Sequence, residues 1–291
     1  MRQDESIVGW AAWLQTAPGR YLLDWERERL DQELSDAFGF HALQLGLAEL
    51  DGLRANRMPH RWLAVEAPPA PDGAPGRPQP AASASDGPPR RCAIDLRCAF
   101  DALPFPNASI DLVVLPHALE LARDAHLALR EVERVLVPEG RVVIVGFNPA
   151  SLWGLRQNAG RLGRGLGFAR GRGPFLPQAG EWIGYWRLRD WLRLLGFEIE
   201  AGRFGCWRPP IASAAWLERW RWLDRVGAHW WPVFGALYFV VAVKRVRGMR
   251  LVGVLKAERR TPVAAPAAVA RRDAVPAHAL TTEAPAEHEW A

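Results

Sequence analysis

The sequence predicts an α/β fold in which a mostly parallel sheet is covered by helices on both faces. Short segments that are almost wholly apolar alternate with amphipathic helical segments along the chain. Strands that are apolar on both faces are typical of a parallel sheet buried between two layers of helices. Ligands of such sheets bind outside the carboxyl ends of the strands.

The composition is that of a globular chain that can bury a core. Of the 291 residues, 49% are hydrophobic and 24% are charged. The three cysteines are scattered and form no C-x-x-C pair, which excludes a disulfide framework and argues against a zinc site. The N-terminal residues lack the pattern of a signal peptide, and the longest apolar run, 230–243, is shorter than the roughly 18 residues of a membrane span. We therefore expect a cytoplasmic protein with no membrane span.

The N-terminal third predicts a helical cover followed by two strands. Apolar side chains recur at helical spacing after Pro18, so residues 1–36 are expected to cover one face of the sheet. Two short apolar runs, 40–46 and 62–66, predict buried strands. The segment between them, 47–57, predicts either a helix or a structured turn.

Two segments predict disorder. Residues 67–91 consist largely of Pro, Ala, Gly and Ser, which leaves almost nothing apolar to bury and indicates a disordered insertion. Residues 257–291 are an Ala-, Pro- and charge-rich tail of the same kind. The α/β domain itself is expected to span residues 37–256.

The middle of the chain carries the clearest pattern. Residues 92–97 and 110–115 predict two further strands, and residues 117–136 predict an amphipathic helix with one apolar face. The turn residues Pro138-Glu139-Gly140 are expected to end that helix, and residues 141–147 predict a fifth strand. Beyond it, residues 150–180 predict a Gly- and Arg-rich loop with a helical turn, residues 188–195 a short helix and residues 197–201 a strand. Residues 212–226 predict a longer helix, residues 237–244 the last strand and residues 250–255 a short extension of the sheet.

A set of motifs between residues 103 and 149 allows a family comparison. A Leu-Pro-Phe turn precedes an apolar strand that contains Asp, and a helix with a Leu-Arg-Glu pattern leads to a turn before another strand. These motifs are Leu103-Pro104-Phe105, Ile110 to Val114, Leu129-Arg130-Glu131 and Pro138-Glu139-Gly140. In order and spacing they resemble the type 11 family of class I S-adenosylmethionine (SAM)-dependent methyltransferases. The resemblance implies a Rossmann-like class I methyltransferase sheet with an antiparallel final strand, and SAM as cofactor.

The resemblance also implies which residues hold the cofactor. Gly46 matches the first glycine of the family's glycine-rich loop, although Gln44 stands where an acid is common and the later glycines are absent. Glu66, at the end of the second strand, is expected either to accept hydrogen bonds from the ribose hydroxyls or to be simply solvated. Cys98-Ala99 occupy the adenine side, where the family often has Asp, and Asp101 is nearby.

The end of the fourth strand carries the expected catalytic residue. The family places this position beside the transferring methyl group, so Leu115 is expected to contact the cofactor. His117 is expected either to act as a general base or only to cap the following helix. Glu120, one helical turn further on, is a weaker candidate. No metal site is expected, because the remaining histidines have no partner at ligand spacing.

Two functions therefore remain open from the sequence. The first is a SAM-dependent methyltransferase acting on an unidentified small or macromolecular acceptor, with residues 150–235 as a substrate-side segment. The second is a degenerate methyltransferase fold that serves as a binding or regulatory module. RNA is one partner of the second kind, because residues 151–175 contain five arginines and no acid, and ten of the 15 tryptophans lie between Trp153 and Trp231. Most of these tryptophans are expected to be core or domain-contact residues.

Overall fold

The computed structural model describes residues 9–67, 79–80, 95–165, 176 and 180–245. In this part of the chain, the strands are β1 (His41–Leu45), β2 (His60–Glu66), β3 (Gln79–Pro80), β4 (Leu96–Cys98), β5 (Ile110–Pro116), β6 (Leu136–Phe147), β7 (Phe197–Gly205) and β8 (Leu237–Lys244). The helices are α1 (Ala17–Leu34), α2 (Ala118–Leu121), α3 (Ala125–Val135), α4 (Leu152–Gly165), α5 (Tyr185–Leu194), α6 (Ala214–Arg219) and α7 (Trp222–Trp230). Residues 9–14 are also helical, and Pro232–Phe234 form a 3₁₀ turn.

The strands form one mixed sheet in the order β3-β4-β2-β1-β5-β6-β8-β7. The pairs β4–β2, β2–β1, β1–β5 and β5–β6 are parallel. The strand β8 is antiparallel to both of its neighbours, β6 and β7. The predicted fold class, including the antiparallel final strand, is therefore confirmed.

Alternate residues along the central strands feed two separate cores, one on each face of the sheet. On one face, Leu43 and Val113 pack with Leu129 of α3 and Leu188 of α5. On the other face, apolar side chains of β1, β5, β6 and β8 pack with α1 and with Trp153 of α4. Burial on both faces explains why the strands read as continuous apolar runs in the sequence.

The predicted helix 117–136 is wrong in one respect, because the structure divides it into α2 and α3. Ala122 is in an extended conformation, and Asp124 starts α3 by accepting hydrogen bonds from two backbone N–H groups of the first turn. An aspartate at this position satisfies N–H groups that have no partner within the helix. The apolar periodicity continues across the break, which is why it predicts a single helix.

The predicted turn at Pro138-Glu139-Gly140 lies inside β6 and does not precede it. Ile110 pairs with Leu136, but Leu112 pairs with Arg141, so three extra residues are accommodated on β6. Glu139 has a φ of 64°, as expected of a residue in an irregularity of this kind. The residues Pro138-Glu139-Gly140 therefore do change the direction of the backbone, but they interrupt the pairing of β6 with β5 and do not end a helix.

The second half of the chain is more helical than the sequence predicts. Part of the expected loop 150–180 forms α4, and the single helix expected at 212–226 is two helices, α6 and α7. Trp153 is buried, but five other tryptophans of this region are half or more exposed: Trp186, Trp216, Trp222, Trp230 and Trp231. The core part of this expectation is thus wrong for these five, and the domain-contact alternative stays a prediction.

Three predictions concern residues outside the described part. The disordered insertion 67–91 lies there except for Ala67 and for β3, and the tail 257–291 and the extension at 250–255 lie there completely. Among the described helices, none combines the length and the apolar character that crossing a membrane requires.

Polar contacts join α1 to α7 and to Arg208, which follows β7. The Tyr21 hydroxyl donates to Asp224 Oδ1 of α7 at 2.5 Å, and Arg208 Nε donates to Asp224 Oδ2 at 2.8 Å. The Arg208 guanidinium also lies 4.5 Å from the centre of the Tyr21 ring. These contacts help to hold α1 on its face of the sheet, from which Glu26 reaches His117, the residue after β5.

Candidate active site

The strand order reverses between β1 and β5, and the predicted site residues gather at this point. In a doubly wound sheet the crevice outside the carboxyl ends at such a reversal is the usual ligand site. Gly46 and His117 follow β1 and β5, and Glu66 and Cys98 end β2 and β4. The structure thus brings the residues that the sequence singled out to one edge, with Leu115 buried in β5 beside them.

Gly46 is required by the close approach of β1 to β5. Its φ is 113°, and a Cβ atom there would lie 2.7 Å from the carbonyl oxygen of Pro116. Its N–H donates to the carbonyl of Ala64 at 3.0 Å. A glycine at this position therefore serves the chain's own packing, whatever it contributes to a ligand.

The loop after β1 is a structured turn held by Gln44 and does not form a helix. The buried amide Nε2 donates to the carbonyls of Leu47 and Leu50 at 2.8 and 2.6 Å, and Oε1 accepts from the N–H of Gly52 at 2.9 Å. Residues 46–55 consist of bends and turns. Gln44, which stands where the family commonly has an acid, thus closes the turn that a glycine-rich loop would leave open.

Glu66 is a buried carboxyl group at the end of β2. It is 8% exposed, and its Oε2 accepts a hydrogen bond from the N–H of Phe100 at 3.1 Å. Burial raises the pKa of Glu66 to about 7; the Phe100 N–H and Arg123 oppose this rise, while Asp101 adds to it. The side chain therefore titrates near neutral pH and is not the solvated carboxylate of the alternative interpretation.

The residues after β4 complete this part of the site. Cys98 and Ala99 are almost fully buried, and burial, assisted by Glu66, raises the pKa of the Cys98 thiol to about 12, so the thiol stays protonated. Asp101 Oδ1 is buried and has no hydrogen-bond partner in the described part of the chain. An unpaired buried carboxylate oxygen is rare and calls for a donor from outside.

His117 lies in a buried network of two carboxylates. Its Nδ1 is 2.8 Å from Glu120 Oε2, and its Nε2 is 2.9 Å from Glu26 Oε1. Burial alone would lower the pKa of His117, but Glu120 and Glu26 outweigh it and raise the pKa to about 10. The ring is therefore an imidazolium that donates both N–H groups.

This geometry bears on both predicted roles of His117. An imidazolium has no lone pair that can take a proton, so the role of general base stays a prediction that requires the ring to lose a proton first. His117 does precede α2, with a φ of 55°, but its side chain makes no capping hydrogen bond there. Glu120 fixes the ring and also accepts from the Phe147 N–H at 2.5 Å.

Sequence reasoning missed Glu26. This residue lies on α1 and is 2% exposed, and it shares a buried stripe with Leu22, Leu30 and Leu34. An acid at a position of an otherwise apolar i, i+4 stripe is the signal that would have found it. A buried carboxylate needs a partner, and the partner here is His117.

The motifs that carry the family resemblance have structural roles. Glu131 Oε2 accepts from the N–H of Leu103 at 3.0 Å, and Arg134 donates to the carbonyls of Leu103 and Phe105 at 2.9 Å each. Asp111 accepts from two backbone N–H groups at the start of β1, both at 2.9 Å. The Leu-Pro-Phe turn and the Leu-Arg-Glu helix are thus bound to each other through Glu131 and Arg134. Within the described residues, no group of three or more His, Cys, Asp or Glu side chains is placed to hold a metal ion.

Part of this chain is similar in sequence to known methyltransferases. Residues 80–144 match the model of a family described as "Methyltransferase domain". The chain is 39% identical over 103 residues to the uncharacterized protein YafS of Escherichia coli, a match that covers 35% of this chain and 39% of YafS. It is 47% identical over 60 residues to a malonyl-[acyl-carrier protein] O-methyltransferase of Halorhodospira halophila, which covers 20% of each. The chain therefore spans about two fifths and one fifth of the length of these relatives.

Solved structures show the same fold. A SAM-dependent methyltransferase of Thermotoga maritima, described as a possible histamine N-methyltransferase, matches with a TM-score of 0.51 and 14% identity over 81% of this chain and 94% of its own. A chain of a structure described as "Complex between the Haloferax volcanii Trm112 methyltransferase activator and the putative methyltransferase" matches with a TM-score of 0.51 and 18% identity over 85% of this chain and 99% of its own. At these identities the likeness shows the fold. It confirms the predicted fold class, a Rossmann-like methyltransferase sheet, and the family model adds a methyltransferase-domain match over residues 80–144.

Proposed function

We propose that this chain is a SAM-dependent methyltransferase that holds the adenosine part of SAM at the carboxyl ends of β2 and β4. The observation that carries the proposal is the buried carboxyl group of Glu66 together with the buried, unpaired Oδ1 atom of Asp101, a residue of intermediate exposure. Because the fold alone does not establish an activity, the proposal rests on these side chains and not on the sheet.

The adenosine part of SAM fits the chemistry of these residues. An ionised carboxylate has about four acceptor sites, and Glu66 uses one of them for the Phe100 N–H, which leaves acceptors for two ribose hydroxyls. The adenine amine is a donor of the kind that the unpaired Asp101 Oδ1 lacks. Cys98 and Ala99 would give this part of the site an apolar wall, with Leu115 next to it.

The methionine part of SAM fits less well. Gln44 closes the turn after β1, and Gly46 already uses its N–H and its lack of a side chain within the protein. We therefore propose that this chain binds the cofactor mainly through contacts with its adenosine half. When bound, SAM supplies an electrophilic methyl group, and the protein's part is to hold the acceptor close to it with the correct orientation.

Calorimetric titration of the intact chain with S-adenosylhomocysteine (SAH) tests the proposal. Glu66→Gln keeps the size of the side chain but removes the charged acceptor, and the loss of charged hydrogen bonds of about 1.5–3 kcal/mol should weaken binding by about 10- to 100-fold. Asp101→Asn should weaken it as well. Glu198→Gln is the matched control, because this residue lies on β7 with its side chain 66% exposed, and it should leave the affinity unchanged.

The pKa of Glu66 supplies a second readout. Because the pKa is about 7, the ionised acceptor forms between pH 6 and pH 8, and SAH affinity should rise by about tenfold over that range. Glu66→Gln should abolish this dependence. An absence of binding at millimolar SAH would refute the methyltransferase proposal in favour of a binding or regulatory role. An unchanged affinity in Glu66→Gln would refute the assignment of the ribose site.

A further inference from the structure

A second group of polar atoms lies buried beside His117, and the proposed cofactor site does not use it. This group, here called the acidic box, consists of Glu26, His117 and Glu120 with the rings of Trp10 and Phe147. The His117 ring centre is 4.8 Å from that of Trp10 and 4.6 Å from that of Phe147. Because His117 directly follows β5, the acidic box lies at the reversal of strand order, where a methyl acceptor has to bind.

The acidic box carries an excess of negative charge. Glu26 and Glu120 contribute two carboxylates, and the imidazolium of His117 contributes one positive charge, which leaves a formal charge of −1 in a region where all three side chains are at most 2% exposed. A buried charge is costly unless it is paired and hydrogen bonded. Within the described residues, neither carboxylate has an ion pair with a lysine or an arginine. The box therefore lacks one positive charge.

Three polar atoms around the box have no hydrogen-bond partner in the described part of the chain. They are Glu26 Oε2 and the indole nitrogens of Trp10 and Trp182. Trp182 stacks on Phe147 with a ring-centre distance of 4.9 Å, so it belongs to the same aromatic group. Buried polar groups are rarely left unpaired in native proteins, and an unpaired group usually marks a bound water, ion or ligand.

We infer that the acidic box is the recognition site for a methyl acceptor that binds as a cationic amine. This inference rests on the proposed function and gives it a substrate class. An ammonium group donates a hydrogen bond to the free oxygen of Glu26, neutralises the excess negative charge, and is attracted to the aromatic rings of Trp10 and Phe147. The indole N–H groups of Trp10 and Trp182 are donors, which an ammonium cannot pair, so they require an acceptor atom on another part of the ligand or a water. An anionic acceptor would add a second uncompensated charge, and a neutral one would leave the first.

The chemistry of methylation assigns a second role to Glu26. An ammonium group has no lone pair, so the acceptor must first lose one proton, which Glu26 Oε2 accepts and holds until the product leaves. The nitrogen lone pair then forms the new N–C bond, and the electron pair of the broken C–S bond remains on sulfur. His117 takes no proton in this scheme. It is a positioning residue that holds Glu26 and Glu120 in place.

The test uses three primary amines, 2-phenylethylamine, butylamine and ethanolamine, each with the alcohol and the carboxylate of matching shape. Binding is followed by the tryptophan fluorescence of the intact chain with SAH present. We expect at least one amine to bind ten or more times more tightly than its neutral and anionic counterparts. Glu26→Gln should weaken that amine by about 10- to 100-fold, as expected for the loss of a charged hydrogen bond.

Two further variants control for folding and for charge. Glu28 lies on the same helix as Glu26 but is exposed, so the Glu28→Gln variant should bind the amine as tightly as the wild type. Trp10→Leu removes one aromatic face without changing any charge and should weaken the amine by about 2- to 30-fold, as expected for a lost cation–π contact. It keeps the inference testable if Glu26→Gln fails to fold.

The outcomes separate this inference from the proposed function. If SAH binds but no amine is preferred, or if Glu26→Gln and Trp10→Leu both leave amine affinity unchanged, the inference is wrong and water alone occupies the box. If amines bind as expected but SAH does not, the cation site stands and the methyltransferase proposal fails. Transfer of a labelled methyl group to the amine nitrogen in preference to the matched alcohol or carboxylate would support both.

Discussion

Replacing His117 by glutamine should cause a large and pH-dependent loss of stability. The imidazolium donates to Glu26 and Glu120 at 2.9 and 2.8 Å within the protein. A neutral amide can donate to only one of these carboxylates at this position, so the other remains buried without a partner. Removing one partner of a buried ion pair typically costs about 3–5 kcal/mol. We therefore expect His117→Gln to lower the free energy of unfolding by about that amount at pH 6.5.

The direction of the pH dependence follows from the pKa of His117. Its pKa in the folded protein is about 10, above the value of 6.5 expected for the unfolded chain. The stabilisation by the charged ring is complete below pH 6.5 and is lost as the pH rises through 10, because the folded state then loses the proton that it binds more tightly. The difference between wild type and His117→Gln should therefore shrink between pH 6.5 and pH 10.

Urea unfolding at pH 6.5 and pH 9.5, followed by circular dichroism and tryptophan fluorescence, measures both quantities. His229→Gln is the matched control, since His229 is exposed on α7 and its replacement should change stability by less than about 0.5 kcal/mol at either pH. A loss below about 1 kcal/mol in His117→Gln, or a loss of equal size at both pH values, would refute the buried ion-pair network.

Three further substitutions test the packing around the site by the same unfolding assay. Gln44→Glu restores an acid at the family's position but points a carboxylate at two backbone carbonyls, so it should cost about 2–4 kcal/mol; a neutral result would contradict the closed turn. Gly46→Ala should cost at least about 2 kcal/mol, because its Cβ meets the Pro116 carbonyl and its φ is positive; an unchanged stability would mean that β1 and β5 can separate. Arg134→Met should cost about 2–3 kcal/mol by removing charged donors from two carbonyls, whereas Arg130→Met on the exposed face of the same helix should be nearly neutral; equal effects would refute the structural role of the motif.

Much of the fold could be predicted because its signals are local. The apolar runs that became β1, β2, β5 and β8 are buried on both faces, so each strand is legible without knowledge of its neighbours. The break at Asp124 and the irregularity in β6 were missed for the opposite reason. The side chain of Asp124 caps a helix only because Ala122 leaves the helical conformation, and Glu139 is accommodated only through pairing with β5.

The candidate site was predictable in part. Gly46, Glu66 and His117 were found because the ends of predicted parallel strands must meet at one edge. The roles of their surroundings were not, since these depend on distant contacts. Glu26 reaches His117 across 91 residues of sequence, and the amide of Gln44 closes a turn that the sequence leaves undecided between a helix and a turn.

An experimental structure of this chain with SAH bound would test the adenosine site most directly. We expect the Glu66 carboxylate to lie about 2.6–3.2 Å from both ribose hydroxyls and Asp101 Oδ1 to accept from the adenine amine. We also expect the turn held by Gln44 to remain closed beside the ligand. SAH bound elsewhere on the sheet, or at this edge with Glu66 directed away from the ribose, would refute the assignment of this site.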